Sequence, residues 1–135
     1  MRNECLNLIN TEKKEVIYNL EKLEELTIKW SEDRGIIKNS NSLTQFAKLI
    51  SEAGELADNI AKGRNIEDDI GDCLVVLCNI AKMNNTNLTN CWNDAYNDIK
   101  DRKGYLNENG TFIKEGDVEW NKKTKQNIVL ALKEQ

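Results

Sequence analysis

The sequence predicts an all-α protein: a four-helix-bundle-like fold carrying a small C-terminal β-hairpin and a terminal helix. Three observations predict it. The 135 residues contain no proline and only seven glycines, too few for a sandwich or barrel that needs turn chemistry every ten residues. Apolar residues recur at steps of three, four and seven along most of the chain, the spacing of one helix face. The composition, 39% hydrophobic and 31% charged, suits several narrow apolar stripes better than one thick core. No internal repeat, low-complexity tract or linker is visible, so residues 1–135 read as a single domain.

The elements follow in order. Leu6, Ile9, Val16, Leu20, Leu23 and Trp30, with Thr27 between them, predict a first amphipathic helix. Asp33-Arg34-Gly35 ends it, and Lys38-Asn39-Ser40-Asn41 is loop chemistry. Ser42-Leu43-Thr44-Gln45 reads as a capping box that starts a second helix, with Phe46, Ile50, Ala53, Ala57 and Ile60 as its stripe and Gly63 as its stop. Asn65 predicts the cap of a third helix, with Glu67, Asp68 and Asp69 in its first turns, where the helix dipole favours negative charge. No breaker lies between Asn65 and Asn84, so the apolar run Cys73–Cys78 belongs to this helix rather than to a strand. A helix apolar almost all round is a central one. Leu88, Cys91, Trp92, Ala95, Tyr96 and Ile99 predict a fourth helix with Trp92 and Tyr96 in the core. It stops at Arg102-Lys103-Gly104. Residues 104–114 predict a hairpin turning at Asn109-Gly110, and Val118 onward predicts a terminal helix with Trp120, Thr124, Ile128 and Ala131 on one face.

Composition also excludes chemistry. The chain has no histidine, which removes Ser-His-Asp triads, Cys-His pairs and histidine-bearing zinc and di-iron sites together. Any general base is then a carboxylate, a lysine, a tyrosine or a metal-bound water. A net charge of −4 argues against nucleic acid or an anionic membrane surface as partner. The longest apolar run is six residues, too short for a bilayer span, and the N-terminus lacks the layout of a signal peptide, so a cytoplasmic location is expected. Cys5, Cys73, Cys78 and Cys91 form no C-x-x-C pair and are expected as reduced, buried thiols.

The acidic residues are the most informative. Gln45, Lys48, Glu52, Glu55 and Asn59 share one stripe of the second helix, away from its apolar stripe. Glu52 and Glu55 are helical neighbours at spacing i,i+3. Asp69 and Asp72 form a second such pair on the third helix. A charged stripe is ordinarily a solvated face, and acids near a helix start ordinarily complement its dipole. Asp72 resists that reading, because it adjoins the six-residue apolar run and there must be paired, metal-bound or neutralised. Four carboxylates from adjacent helices repel one another unless cations lie between them. Oxygen-only ligands suit Mg²⁺ or Mn²⁺ rather than zinc.

Glu52-Ala-Gly-Glu55, followed after thirteen intervening residues by Asp69-Ile-Gly-Asp72, resembles the Glu-x-x-Glu…Glu-x-x-Asp signature of the all-α nucleoside triphosphate pyrophosphohydrolases. Within that superfamily the chain is most similar to the short, single-domain MazG-like proteins. The flanks agree: Trp30-Ser-Glu-Asp-Arg34-Gly-Ile, Lys48-Leu-Ile-Ser-Glu52, Cys73-Leu-Val-Val-Leu, Ala95-Tyr-Asn-Asp-Ile-Lys-Asp-Arg102-Lys-Gly104 and Gly110-Thr-Phe-Ile-Lys114-Glu. The resemblance covers about residues 20–117 and leaves 118–135 as a C-terminal helical extension. Asp69 departs from it, standing one methylene short of the usual Glu.

The resemblance implies Mg²⁺-dependent hydrolysis of a (deoxy)nucleoside triphosphate to the monophosphate and pyrophosphate, cleaning the nucleotide pool, with Mn²⁺ as a substitute metal. It implies Glu52, Glu55, Asp69 and Asp72 as metal ligands and Glu52 or Glu55 as the base. Lys48 either steadies Glu52 or touches phosphate. Lys100, Arg102 and Lys103 either bind phosphate or complement the end of their helix, and Asn97 is a candidate hydrogen-bonder to sugar or phosphate. Trp30 either stacks on the base or packs in the core. A homodimer or homotetramer is expected, since the bundle of this family is completed between subunits. The alternatives are a dUTP-specific or phosphoribosyl-ATP enzyme of the same fold, and a non-catalytic helical interaction module.

Overall fold

The computed structural model describes residues 16–133, which form six helices and one two-stranded antiparallel sheet, the all-α class with its hairpin. The chain divides between Asn84 and Asn85 into two compact units.

The first unit holds α1 (Leu20–Asp33), α2 (Ile36–Asn39), α3 (Ser42–Ala61) and α4 (Glu67–Met83). Helix α1 begins at Leu20, later than the apolar spacing predicts. The Asn19 side chain accepts the Lys22 N–H at 2.9 Å and caps it there, while Val16 to Asn19 are not helical. Leu6 and Ile9 lie outside the described residues. Residues 36–39, expected as loop, make one helical turn launched by Gly35 at φ +71°, where an added Cβ would also lie 2.7 Å from Asn39 Nδ2. Asn41 rather than Ser42 caps α3, accepting the Thr44 N–H at 2.9 Å. Ser42 instead accepts from Asn84 Nδ2, so the end of α4 braces the start of α3. Gly63, at φ +63°, ends α3 as expected. Asn65 accepts the Glu67 N–H at 2.9 Å, although the cap position itself falls on Ile66.

Helix α4 is the centre of this unit and packs against α1, α2 and α3. Val76, Cys78 and Ala81 form its apolar core. The small Ser31 of α1 is fully buried. The face that α3 packs inward is not the expected one. Gln45, Leu49, Glu52, Leu56 and Asn59 are the covered residues, whereas Phe46, Ile50 and Ile60 stay exposed. A helix presents whichever stripe its neighbour complements, and α4 offers Asp69 and Asn79 to the amides of α3.

The second unit holds α5 (Leu88–Ile99), β1 (Gly104–Leu106), β2 (Phe112–Lys114) and α6 (Val118–Lys133). Tyr105 pairs with Ile113, and Asn107 Oδ1 gathers the Asn109 and Thr111 N–H groups to close the loop around Gly110. Strand β2 packs on α6, and Tyr105 meets Trp120 with ring centroids 5.8 Å apart. Trp92 and Tyr96, expected in the core, are exposed, Trp92 at 67%, because the packing of this unit runs through the hairpin and α6. The cysteines also depart from expectation. Cys78 is buried, its thiol pushed up to about 11 by desolvation and then by Glu24, but Cys73 is half-buried and Cys91 exposed. All three are free thiols, and Cys5 lies outside the described residues. No helix among the described residues is long and apolar enough to cross a membrane.

Candidate active site

Helices α3 and α4 bring the acidic residues of the first unit into one electrostatic neighbourhood. Glu52 is buried, 7% exposed, on the inward face of α3 and is ion-paired to Lys48 one turn earlier. Its hydrogen bond and charge hold the Lys48 ammonium above lysine's ordinary range, and the carboxylates of Glu55 and Asp72 add to the effect. Asp72, half-buried on α4, has its carboxyl pushed up. Desolvation is the largest cause, followed by the negative charges of Asp68, Glu52 and Asp69, with Lys48 pulling the other way. Carboxylates from two helices therefore sense one another, and one ammonium group serves three of them.

Asp69 is buried at the start of α4 and is held differently. Asn59 Nδ2 donates to both of its oxygens, at 3.1 and 2.9 Å. Glu55 is exposed. Among the described residues no three acidic or thiol side chains close on one point as a metal cage does. The donor set is nonetheless all oxygen, and the repulsion that raises Asp72 is what a divalent cation relieves.

Two clefts flank this neighbourhood and share Trp30 and Val75 as a wall. One, of about 400 Å³, is lined by Leu23, Leu26, Thr27 and Asp72. The other, of about 410 Å³, runs from Ile36, Asn39 and Ser40 past Gln45 and Asn79 to Lys48. Trp30 is 45% exposed, so it is not a core residue, and the Arg34 guanidinium lies 4.2 Å from its ring centroid. A relay of amides forms a polar edge to the second cleft. Asn79 donates to Gln45 Oε1 at 3.0 Å, Gln45 donates to Ser40 Oγ at 3.1 Å, and the buried Asn79 Oδ1 has no partner among the described residues.

The remaining predicted residues belong to the second unit. Lys100 is the C-cap of α5, its N–H bonded to the Tyr96 carbonyl, and Asn97 is exposed on that helix. Arg102 is ion-paired with Asp98, and Lys103 is exposed, its carbonyl accepting the Glu115 N–H at 2.8 Å. Arg34, Asn59, Arg64, Gln45 and Asn79 escaped the sequence reading as site residues. Only the position of Asn59 and Gln45 on the acidic stripe pointed to them.

Residues 40–103, which contain both acidic pairs, match the MazG nucleotide pyrophosphohydrolase domain. Residues 40–103 are MazG-like. The matched family is one of nucleotide pyrophosphohydrolases, which act on nucleoside triphosphates and generally depend on a divalent metal. The chain is also similar to an uncharacterized 18.2 kDa protein in the rep-hol intergenic region of Haemophilus phage HP1 (strain HP1c1), 46% identical over 57 residues. That match covers 41% of this chain and 35% of the phage protein, so the chain spans about a third of the relative's length. No solved structure matches it significantly.

Proposed function

We propose that this MazG-like chain hydrolyses a (deoxy)nucleoside triphosphate to the monophosphate and pyrophosphate. One observation carries the reading: Glu52 is buried on the face that α3 turns to α4, and Asp69 of α4 is bonded to Asn59 of the same face, so the two helices share acids along one seam. Water attacks the α-phosphorus, a new P–O bond forms, and the bond to the bridging oxygen breaks with pyrophosphate leaving. Glu55, exposed one turn beyond the buried Glu52, is the group that takes the water's proton.

Glu52, Glu55, Asp69 and Asp72 would hold Mg²⁺, with Mn²⁺ able to replace it. Bound there, the ion offsets phosphate charge and makes water more acidic. With Glu52 holding a metal, Lys48 would be free to contact the triphosphate. The base lies along Trp30 on the ring face that Arg34 leaves open. Lys100, Arg102 and Lys103 are the cations proposed for phosphate and Asn97 the hydrogen-bonding group, Arg102 exchanging its ion pair with Asp98 for phosphate.

The 135 residues act as one catalytic domain with 118–135 as its helical extension. The exposed stripe of Phe46, Ile50 and Ile60 on α3 supports a homodimer or homotetramer, for which a clean monomer by light scattering is the contrary result. A nucleoside triphosphate substrate and unpaired thiols support a cytoplasmic location. The test is a panel of NTPs and dNTPs with Mg²⁺, scored for pyrophosphate. Release that is lost in Glu52→Gln supports the enzyme. No turnover of any triphosphate excludes it.

A further inference from the structure

Asn59 carries an inference that rests on the proposed metal-dependent reading and refines it. The stop of α3 is a Schellman motif: the Gly63 N–H bonds the Ile60 carbonyl at 3.1 Å and the Arg64 N–H bonds the Asn59 carbonyl at 3.0 Å. The left-handed Gly63 thus folds Arg64 back over Asn59, and Arg64 Nη1 donates to Asn59 Oδ1 at 3.4 Å. With its oxygen engaged by a cation, the Asn59 amide turns its Nδ2 to both oxygens of the buried Asp69. A guanidinium placed directly on Asp69 would neutralise it and compete with any metal. The neutral amide between them orients the carboxylate, and polarisation by Arg64 strengthens its donation.

We propose that Asn59 is the positioning residue for Asp69: oriented by Arg64, it fixes the carboxylate plane and leaves its charge available to a divalent cation. This bracing matters for an acid one methylene shorter than Glu, whose reach is set by the direction in which it is held. Partners of this kind, one shell beyond the metal, are worth about 10–100-fold in metal affinity.

The experiment is a Mn²⁺ titration of the full chain without nucleotide, followed by electron paramagnetic resonance of the free ion. Asn59→Ala is expected to weaken Mn²⁺ binding about 10-fold or more. Asp69→Asn is expected to weaken it at least as much, and the double variant no further than Asp69→Asn alone. A purely structural role for Asn59 would add to the Asp69 loss instead, and additive losses overturn the proposal. Wild-type affinity in Asn59→Ala also overturns it, as does Mn²⁺ binding that Asp69→Asn leaves unchanged. Arg64→Ala, altering an exposed residue beyond the helix end, keeps the test open should Asn59→Ala not fold. It is expected to weaken Mn²⁺ binding less, in the same direction, and unchanged binding overturns the proposal. Pyrophosphate release is scored separately. An active enzyme whose Asn59→Ala variant binds Mn²⁺ normally defeats this inference alone, whereas coupled Mn²⁺ losses in a chain that cleaves no triphosphate defeat the enzymatic reading.

Discussion

Lys48 and Glu52 form an ion pair across one turn of α3 in which the carboxylate is buried and the ammonium is exposed. The lysine is thus the cation that makes a carboxylate tolerable on a packed helix face. Removing it should leave Glu52 uncompensated. In chelator, Lys48→Met is expected to lower the melting temperature by a few degrees, with Mg²⁺ restoring much of the loss, as calorimetry would show. A variant as stable as wild type in chelator would mean that Glu52 is balanced by something else.

Asp72 gives the pH dependence. Its carboxyl is raised, so the folded state binds that proton more tightly than the unfolded state does, and ionisation costs stability. The cost is absent below the unfolded pKa of about 3.9 and is fully present once pH exceeds the raised folded value. In metal-free buffer, Asp72→Asn should therefore melt higher than wild type at pH 7, with the gain shrinking as pH falls toward 4. Thermal melts across that range check it, and a variant that melts lower at every pH contradicts it.

Trp30 predicts a split between binding and stability. It lines both clefts yet is nearly half exposed, so truncation should spare the fold and weaken ligand binding. Base–aromatic stacking is worth roughly 1–3 kcal/mol by alanine substitution, which sets the loss for Trp30→Ala at about 5-fold or more in nucleotide affinity. Fluorescence titration tests this: nucleotide should quench wild type, and the quench should vanish in Trp30→Phe. An unchanged affinity in Trp30→Ala would remove Trp30 from the site.

Gly104 is a steric requirement of the hairpin. A Cβ there would sit 2.2 Å from the Ile113 carbonyl oxygen and 2.5 Å from the Phe112 ring. Gly104→Ala should open the β1–β2 pairing and loosen the Tyr105–Trp120 contact, lowering near-ultraviolet dichroism while far-ultraviolet helicity stays high. Native aromatic dichroism in that variant would show that the strand absorbs the methyl group.

Much of this was legible in the sequence, for local reasons. The long helices and the hairpin declare themselves through breakers and turn residues, and the i,i+3 spacing of Glu52/Glu55 and Asp69/Asp72 puts each pair on one helix face. What periodicity does not tell is which of two stripes a partner covers. Helix α3 leaves its predicted apolar stripe exposed, and α4 covers a face on which Gln45, Glu52 and Asn59 alternate with Leu49 and Leu56, because Asn79 and Asp69 meet Gln45 and Asn59 there. Trp92 and Tyr96 were misplaced for the same reason, since an amphipathic stripe records a preference and not a neighbour. The cap of α3 moved by one residue, to the first of two adjacent short polar side chains, Asn41 and Ser42.

The reaction itself is tested most directly by running it in ¹⁸O-labelled water with Mg²⁺ and following the products by ³¹P magnetic resonance. Attack at the α-phosphorus places the label in the nucleoside monophosphate and leaves pyrophosphate unlabelled, with no product in Glu52→Gln. Label in inorganic phosphate, or the same products from Glu52→Gln, would contradict a site built from the acids of α3 and α4.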